Sequence, residues 1–220
     1  MEMQQKPTLL SKEEIRTFPA FQNLDTHNIL VIQTLAQCLS IQDELYSIQV
    51  FGFDTESKPT FKVGEKSTGP HLVQLATSDK AYLFQVNPDI LNFLKPILEN
   101  EQQLKVGFGL KNDSASFRIK GIELKSHINL SKSFSSFGYT SQVGIQTAIA
   151  VLFQRYLTKS KKVSTSNWSV KQLSPQQINY AAADAYAALM VFKYLYQHQL
   201  LPSQLQQKVV RILEGSVSKA

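Results

Sequence analysis

The chain has 220 residues, 43% hydrophobic and 18% charged, which is enough apolar content to bury a full core as one α/β domain. No apolar stretch of membrane-spanning length escapes interruption by charge, so no membrane association is expected, and residues 1–8 are too polar for a signal or transit peptide. The single cysteine, Cys38, excludes an internal disulfide and points to a reducing, cytoplasmic compartment, while a net charge of +6 fits a polyanionic partner such as nucleic acid.

In chain order, Ser11 and Glu14 form a capping-box pattern that predicts a short helix from Lys12. Leu35, Cys38, Leu39, Leu45 and Ile48 recur at helical spacing and predict a helix within residues 28–49, after a short strand at 29–32. Cys38 is expected to be buried. A strand follows directly and ends on Asp54. Residues 58–70 hold Pro59, Gly64, Gly69 and Pro70, so they read as a turn region around a short strand at 60–63. Residues 71–76 and 81–86 predict two strands joined by the turn at 77–80.

Residues 88–100 predict a helix with Pro96 as a local flaw, and 104–108 a strand. The turn at 109–112 then delivers Asp113 into a helix reaching about residue 120. Residues 121–141 are irregular, with a strand expected at 123–128. A helix at 142–157 places Ile145, Ile149, Leu152 and Tyr156 on one face. Ser174, Pro175 and Gln177 cap a long helix that runs to about Gln197.

Three groups of residues carry chemistry. Asp54 and Glu56 lie two apart on a strand, so they share a face; at a buried strand end their repulsion favours a shared Mg²⁺ or Mn²⁺, although a solvated strand end has the same pattern. Asp113 stands where either a ligand or a plain helix-capping aspartate would stand. Tyr180 and Asp184, four apart on the long helix, fall on the side flanked by Ala181, Ala188, Val191 and Leu195, opposite Asn179 and Lys193. No Lys or Arg lies within a turn of Asp184 to offset its desolvation, and the alanines at 181–183, 185, 187 and 188 leave room for another layer to approach. The loop at 158–163 carries Lys159, Lys161 and Lys162 and leads to Ser166, Asn167 and Trp168; it suits either solvation or contact with substrate phosphates.

Phe53-Asp54-Thr55-Glu56, then Val106-Gly107-Phe108-Gly109-Leu110-Lys111-Asn112-Asp113, then Tyr180-Ala181-Ala182-Ala183-Asp184, resemble the three motifs of the DEDD 3′–5′ exonuclease superfamily. Tyr180, with Asn179 five before Asp184 in place of a histidine, resembles the tyrosine subclass. Ser166-Asn167-Trp168 and Leu72-Val73-Gln74-Leu75 are similar to the Werner-syndrome-type exonuclease domain, with ribonuclease D more distant. The resemblance implies an α/β, ribonuclease H-like mixed sheet flanked by helices on both faces. It divides the chain into an N-terminal arm at 1–27, an exonuclease domain at 28–200 and a C-terminal tail at 201–220.

It also implies two ions, Mg²⁺ or Mn²⁺, which together supply a nucleophile at neutral pH and charge stabilisation of the leaving oxygen. Asp54 would bridge them, Glu56 and Asp184 would complete one site and Asp113 would help hold the other. Tyr180 would orient the attacking water, since a phenol is a poor base at neutral pH. The expected partners are single-stranded or recessed 3′ ends of nucleic acid, DNA favoured, with Lys159, Lys161, Lys162 and Trp168 binding the substrate. Ribonuclease D-like processing of RNA and non-catalytic binding of nucleic acid are the alternatives.

Overall fold

In a computed structural model the described residues are 9–60, 64 and 67–214. The elements in chain order are α1 (Lys12–Thr17), β1 (Ile29–Ile32), α2 (Leu35–Ser40), α3 (Gln42–Ser47), β2 (Val50–Glu56), β3 (Leu72–Ala76), β4 (Ala81–Gln85) and α4 (Pro88–Leu98). They continue with β5 (Leu104–Gly107), α5 (Lys111–Ile119), β6 (His127–Asn129), α6 (Ile145–Phe153), α7 (Lys161–Ser164), α8 (Pro175–Gln197) and α9 (Ser203–Glu214).

The strands form one mixed sheet in the order β1-β4-β3-β2-β5-β6, and β2 lies inside it. Strands β2, β3 and β4 run antiparallel, whereas β2, β5 and β6 are mutually parallel and β1 is parallel to β4. The β3–β4 turn closes where Thr77 N–H donates to Lys80 O at 2.8 Å. Helices cover both faces. On one, Phe51 and Phe53 of β2 pack with Cys38, Leu45, Leu94 and Phe117. On the other, α8 lies across the sheet with α6 and α9 beside it. This is the α/β architecture the sequence predicts, and Cys38 is buried within it.

Several boundaries differ, each for a local reason. The helix expected through residue 49 breaks at Ile41, whose ψ of 8° ends α2 and starts α3, so each half buries one side chain, Cys38 or Leu45. The helix expected at 142–157 stops at Phe153 because Gln154 turns left-handed and Tyr156 bonds the N-terminal arm instead: Tyr156 N–H donates to Pro19 O at 2.8 Å and Phe21 N–H to Tyr156 O at 2.9 Å. Ser126, at a φ of 46°, interrupts the strand expected from residue 123 and leaves β6. The strand expected at 60–63 lies outside the described residues apart from its first position. Residues 203–214, expected as tail, form α9. Val209 is fully buried there, and Leu205, Ile212 and Leu213 complete a helical stripe.

The face of α8 over β2 fixes the rest. The alanines at 181–183, 185, 187 and 188 are all buried, so the helix backbone descends onto the sheet. A Cβ on Gly52 would stand 2.0 Å from Ala185 O, a contact no side chain tolerates. Gly52→Ala should therefore force α8 away from β2 and cost about 1–3 kcal/mol or more. The check is a lower urea midpoint with an unchanged m-value; a midpoint equal to the parent's would show the helix to be movable at no cost.

Candidate active site

Side chains alternate along β2. Phe51 and Phe53 enter the core beneath α4 and α5, while Gly52 faces α8, so the carboxylate of Asp54 and that of Glu56 project toward α8 as well. From α8, Asp184 points back at them and is only 2% exposed. Thr55, on the opposite face, donates its hydroxyl to Asp113 Oδ1 on α5, and its N–H donates to Asp54 Oδ1 at 2.9 Å. Asp113 sits in the first turn of α5 with its side chain engaged in this contact, and no side-chain cap closes that helix. All four carboxylates predicted from the sequence thus gather at one end of β2.

Tyr180 lies one turn before Asp184 and is nearly buried, with its ring 6.1 Å from that of Trp168 on one side and the Lys159 ammonium 5.4 Å from its centroid on another. The ammonium also ion-pairs with Asp184 Oδ2 at 2.9 Å. This pair corrects the expectation of an unpaired Asp184: its counter-charge arrives from the α6–α7 loop, not from its own helix. It also separates Lys159 from the other lysines of the loop. Lys161 and Lys162 are exposed on the short helix α7, whereas Lys159 is turned inward among the carboxylates.

Trp168 is corrected too. It is 0% exposed and donates Nε1–H to Ser164 O at 3.2 Å, so it supports Tyr180 from the core and presents no face to a substrate base. Beside the carboxylates, Phe108, Gly109, Ser131 and Gly144 enclose a cavity of about 390 Å³ that Asp54, Asp184 and Lys159 also line.

The electrostatics follow from this crowding. Burial, then repulsion from Asp184 and Asp113, holds the Asp54 carboxyl well above its ordinary range. Burial and the Asp54 charge push Glu56 up to about 9. Burial raises Asp113 despite the Thr55 hydrogen bond, and it raises Asp184 despite relief from Lys159 and Tyr180. Burial alone would lower Lys159, but Asp184, Tyr180 and Asp54 raise it overall. Burial and then Asp184 push the Tyr180 phenol up to about 12, so it is a hydrogen-bond donor and not a base.

Carboxylates held at such proton affinities gain from a shared divalent cation, and their oxygens are the hard donors that Mg²⁺ and Mn²⁺ take. Among the described residues no three His, Cys, Asp or Glu side chains close into a ready-made cage. Magnesium does not require one, because it is commonly held by one or two carboxylates, with water and substrate phosphate supplying the rest. The donor set therefore fits.

The profile of the 3′–5′ exonuclease family matches residues 29–199. The chain belongs to the 3′–5′ exonuclease family. Over 151 residues it is 31% identical to the mouse bifunctional 3′–5′ exonuclease/ATP-dependent helicase WRN, which covers 66% of this chain and 11% of that protein. The exonuclease domain of Aedes aegypti Nibbler superposes with a TM-score of 0.70 at 21% identity, covering 86% of this chain and 98% of that one. Trypanosoma brucei RNase D in complex with RNA U12 gives 0.68 at 17% identity, covering 91% and 72%. These likenesses make the fold ribonuclease H-like, as the resemblance implied. The chain spans 11%, 57% and 49% of the first three curated relatives it matches.

One site residue, Thr55, escaped the sequence reading, and Lys159, expected at the substrate phosphates, lies among the carboxylates instead. Thr55 lies inside the first motif, and the period of two places it on the face toward Asp113, which was the available signal. The inward turn of Lys159 had no local signal.

A pH dependence follows for the cation-free protein. Glu56 is raised above its ordinary 4.5, so its protonated form stabilises the fold; that contribution is complete below pH 4.5 and is lost as pH climbs toward 9. In EDTA the Tm should fall between about pH 5 and pH 9, and Glu56→Gln should flatten the fall. A parent Tm that rises across this range would contradict the crowding of the carboxylates.

Proposed function

We propose that this chain hydrolyses phosphodiester bonds from the 3′ end of nucleic acid, DNA ahead of RNA, and releases nucleoside 5′-monophosphates. The observation that carries the reading is the convergence of Asp54, Glu56, Asp113 and Asp184 at one strand end, with Tyr180 beside Asp184 and a cavity open next to them. The preference for DNA is supported by the Ser166-Asn167-Trp168 and Leu72-Val73-Gln74-Leu75 stretches, which resemble the Werner-type domain more than ribonuclease D.

Asp54, Glu56, Asp184 and Asp113 would hold two divalent ions, which when bound neutralise charge and supply a nucleophile at neutral pH. The chain's own groups do the positioning. Tyr180 keeps its proton and donates a hydrogen bond that aims the attacking water. Water adds to phosphorus, the bond to the 3′ oxygen breaks, and that oxygen takes up a proton. Trp168 and Lys159, on two sides of the tyrosine ring, hold the phenol where this hydrogen bond is needed. Burial of Asp184 and the contact from Thr55 to Asp113 fix the carboxylates before substrate arrives, so little rearrangement is left for the reaction itself.

Labelled single-stranded DNA, recessed duplex DNA and RNA, each with Mg²⁺ or Mn²⁺, should show shortening from the 3′ end that EDTA abolishes and added cation restores. Undiminished activity in EDTA would defeat the cation reading, and faster loss of RNA than of DNA would move the chain to RNA processing. Asp54→Ala should remove nearly all turnover without unfolding. Tyr180→Phe, which loses only the hydroxyl, should lower kcat by about tenfold to a thousandfold.

Phosphate contact by the lysine loop now falls to Lys161 and Lys162, the two exposed members. Changing both to Ala should flatten the slope of log affinity against log salt on a single strand by up to about 1.4, from about 0.7 per phosphate. Parallel slopes for parent and double variant, measured in Ca²⁺, would leave these lysines solvated and uninvolved.

A further inference from the structure

One buried polar group near the site has no hydrogen-bond partner among the described residues. Gln74, in the middle of β3, is 0% exposed, and neither its Nε2 nor its Oε1 makes a hydrogen bond. Its position is not arbitrary. In the antiparallel register of β2 and β3, Gln74 stands directly opposite Asp54. Residues paired in this way project from the same face with their Cβ atoms about 4.5–5.5 Å apart.

That face is the one under α8. The residues two away from Gln74, Leu72 and Ala76, and its partner on β4, Leu83, all pack with Ala181, Ala182 and Ala185 of α8. The carboxamide is thus the one polar side chain that β3 sends into an apolar layer, next to the carboxylate at the centre of the site. A buried amide without a hydrogen bond is expensive, and an apolar side chain of equal size at this position would stabilise the fold. Asp54 is the acceptor nearest by register, and among the described residues its Oδ1 alone is engaged, by the N–H of Thr55.

We propose that Gln74 is a positioning residue for Asp54, donating Nε2–H to the Asp54 carboxylate, directly or across one water, when that carboxylate holds a cation. The amide holds the carboxylate in the orientation in which its oxygens face α8, as hydrogen bonds to a ligand commonly do in metal sites. The inference rests on the reading of Asp54 as a cation ligand, and the test separates the two.

Mn²⁺ binding is measured by the electron paramagnetic resonance of the free ion for the parent, Gln74→Met and Asp54→Ala. Methionine keeps the length and volume and removes only the donor and acceptor; Gln74→Leu is the substitute if methionine does not fold. The expected result for Gln74→Met is Mn²⁺ affinity weaker by about tenfold or more. Its kcat should fall by a similar factor, with KM for a single-stranded oligonucleotide unchanged. In EDTA its Tm should equal or exceed the parent's. Parent-like Mn²⁺ affinity in Gln74→Met would overturn the proposal. So would a large drop of Tm in EDTA, which would show the amide supporting the fold and not the ligand. Equal binding by the parent and Asp54→Ala would instead remove Asp54 from the cation site, and the role of Gln74 with it.

Discussion

Like charges brought together out of water set the terms for this molecule. Two unit charges 4 Å apart at an effective dielectric of about 20 interact by about 4 kcal/mol, a large fraction of the stability of a domain. The end of β2 gathers four carboxylates, and each responds as this repulsion requires, with a proton affinity above its ordinary value. Among the described residues one internal counter-charge is supplied, the Lys159 ammonium on Asp184. One cation against four acids leaves the cluster short of positive charge. A divalent ion would remove that deficit.

Repulsion of this size persists only where the scaffold cannot yield. The close approach of α8 to β2 provides that stiffness, because Gly52 and the alanine face let a helix backbone rest on a strand with no side chain between them. Once the helix is seated, the rotational phase of α8 sends Asp184 and Tyr180 toward the sheet together. The tyrosine is then confined by Trp168 and Lys159, two residues that precede the helix in the chain and fold back against it. Alanines that look featureless in the sequence therefore determine where Asp184 and Tyr180 stand.

The parts of this arrangement that depend on local rules were legible in the sequence. Strand alternation put Asp54 and Glu56 on one face, helical phase put Asp184 inward, and capping boxes at Ser11 and Ser174 marked two helix starts. The parts that depend on distant segments were not. Lys159 and Trp168 belong to a lysine-rich, polar stretch that reads as a surface loop, yet one is drawn in by Asp184 and the other by the core around Tyr180. The end of α6 is set by Pro19 and Phe21, which pair with Tyr156 and stop the helix before its apolar pattern ends. Helix α9 is a different case, since its stripe of Leu205, Val209 and Ile212 follows a local rule and is present in the sequence beyond the end of α8.

The two helices that carry the acids approach from opposite faces of the sheet. Phe117 of α5 packs with Phe53 in the core on one side, while α8 covers the other. Groups from α5 and α8 therefore meet beside residues 54–56 of β2, beyond the end of β5 at Gly107, where no β5 residue pairs with the strand. Thr55 shows how the strand accommodates both: its neighbours Asp54 and Glu56 serve the α8 side, and its own hydroxyl reaches Asp113 on the α5 side. The cavity lined by Asp54, Asp184 and Lys159 lies in the gap that β5 leaves. The proposed action on nucleic-acid ends would then depend on where one strand stops beside another, because only there do two helices on opposite faces share their carboxylates.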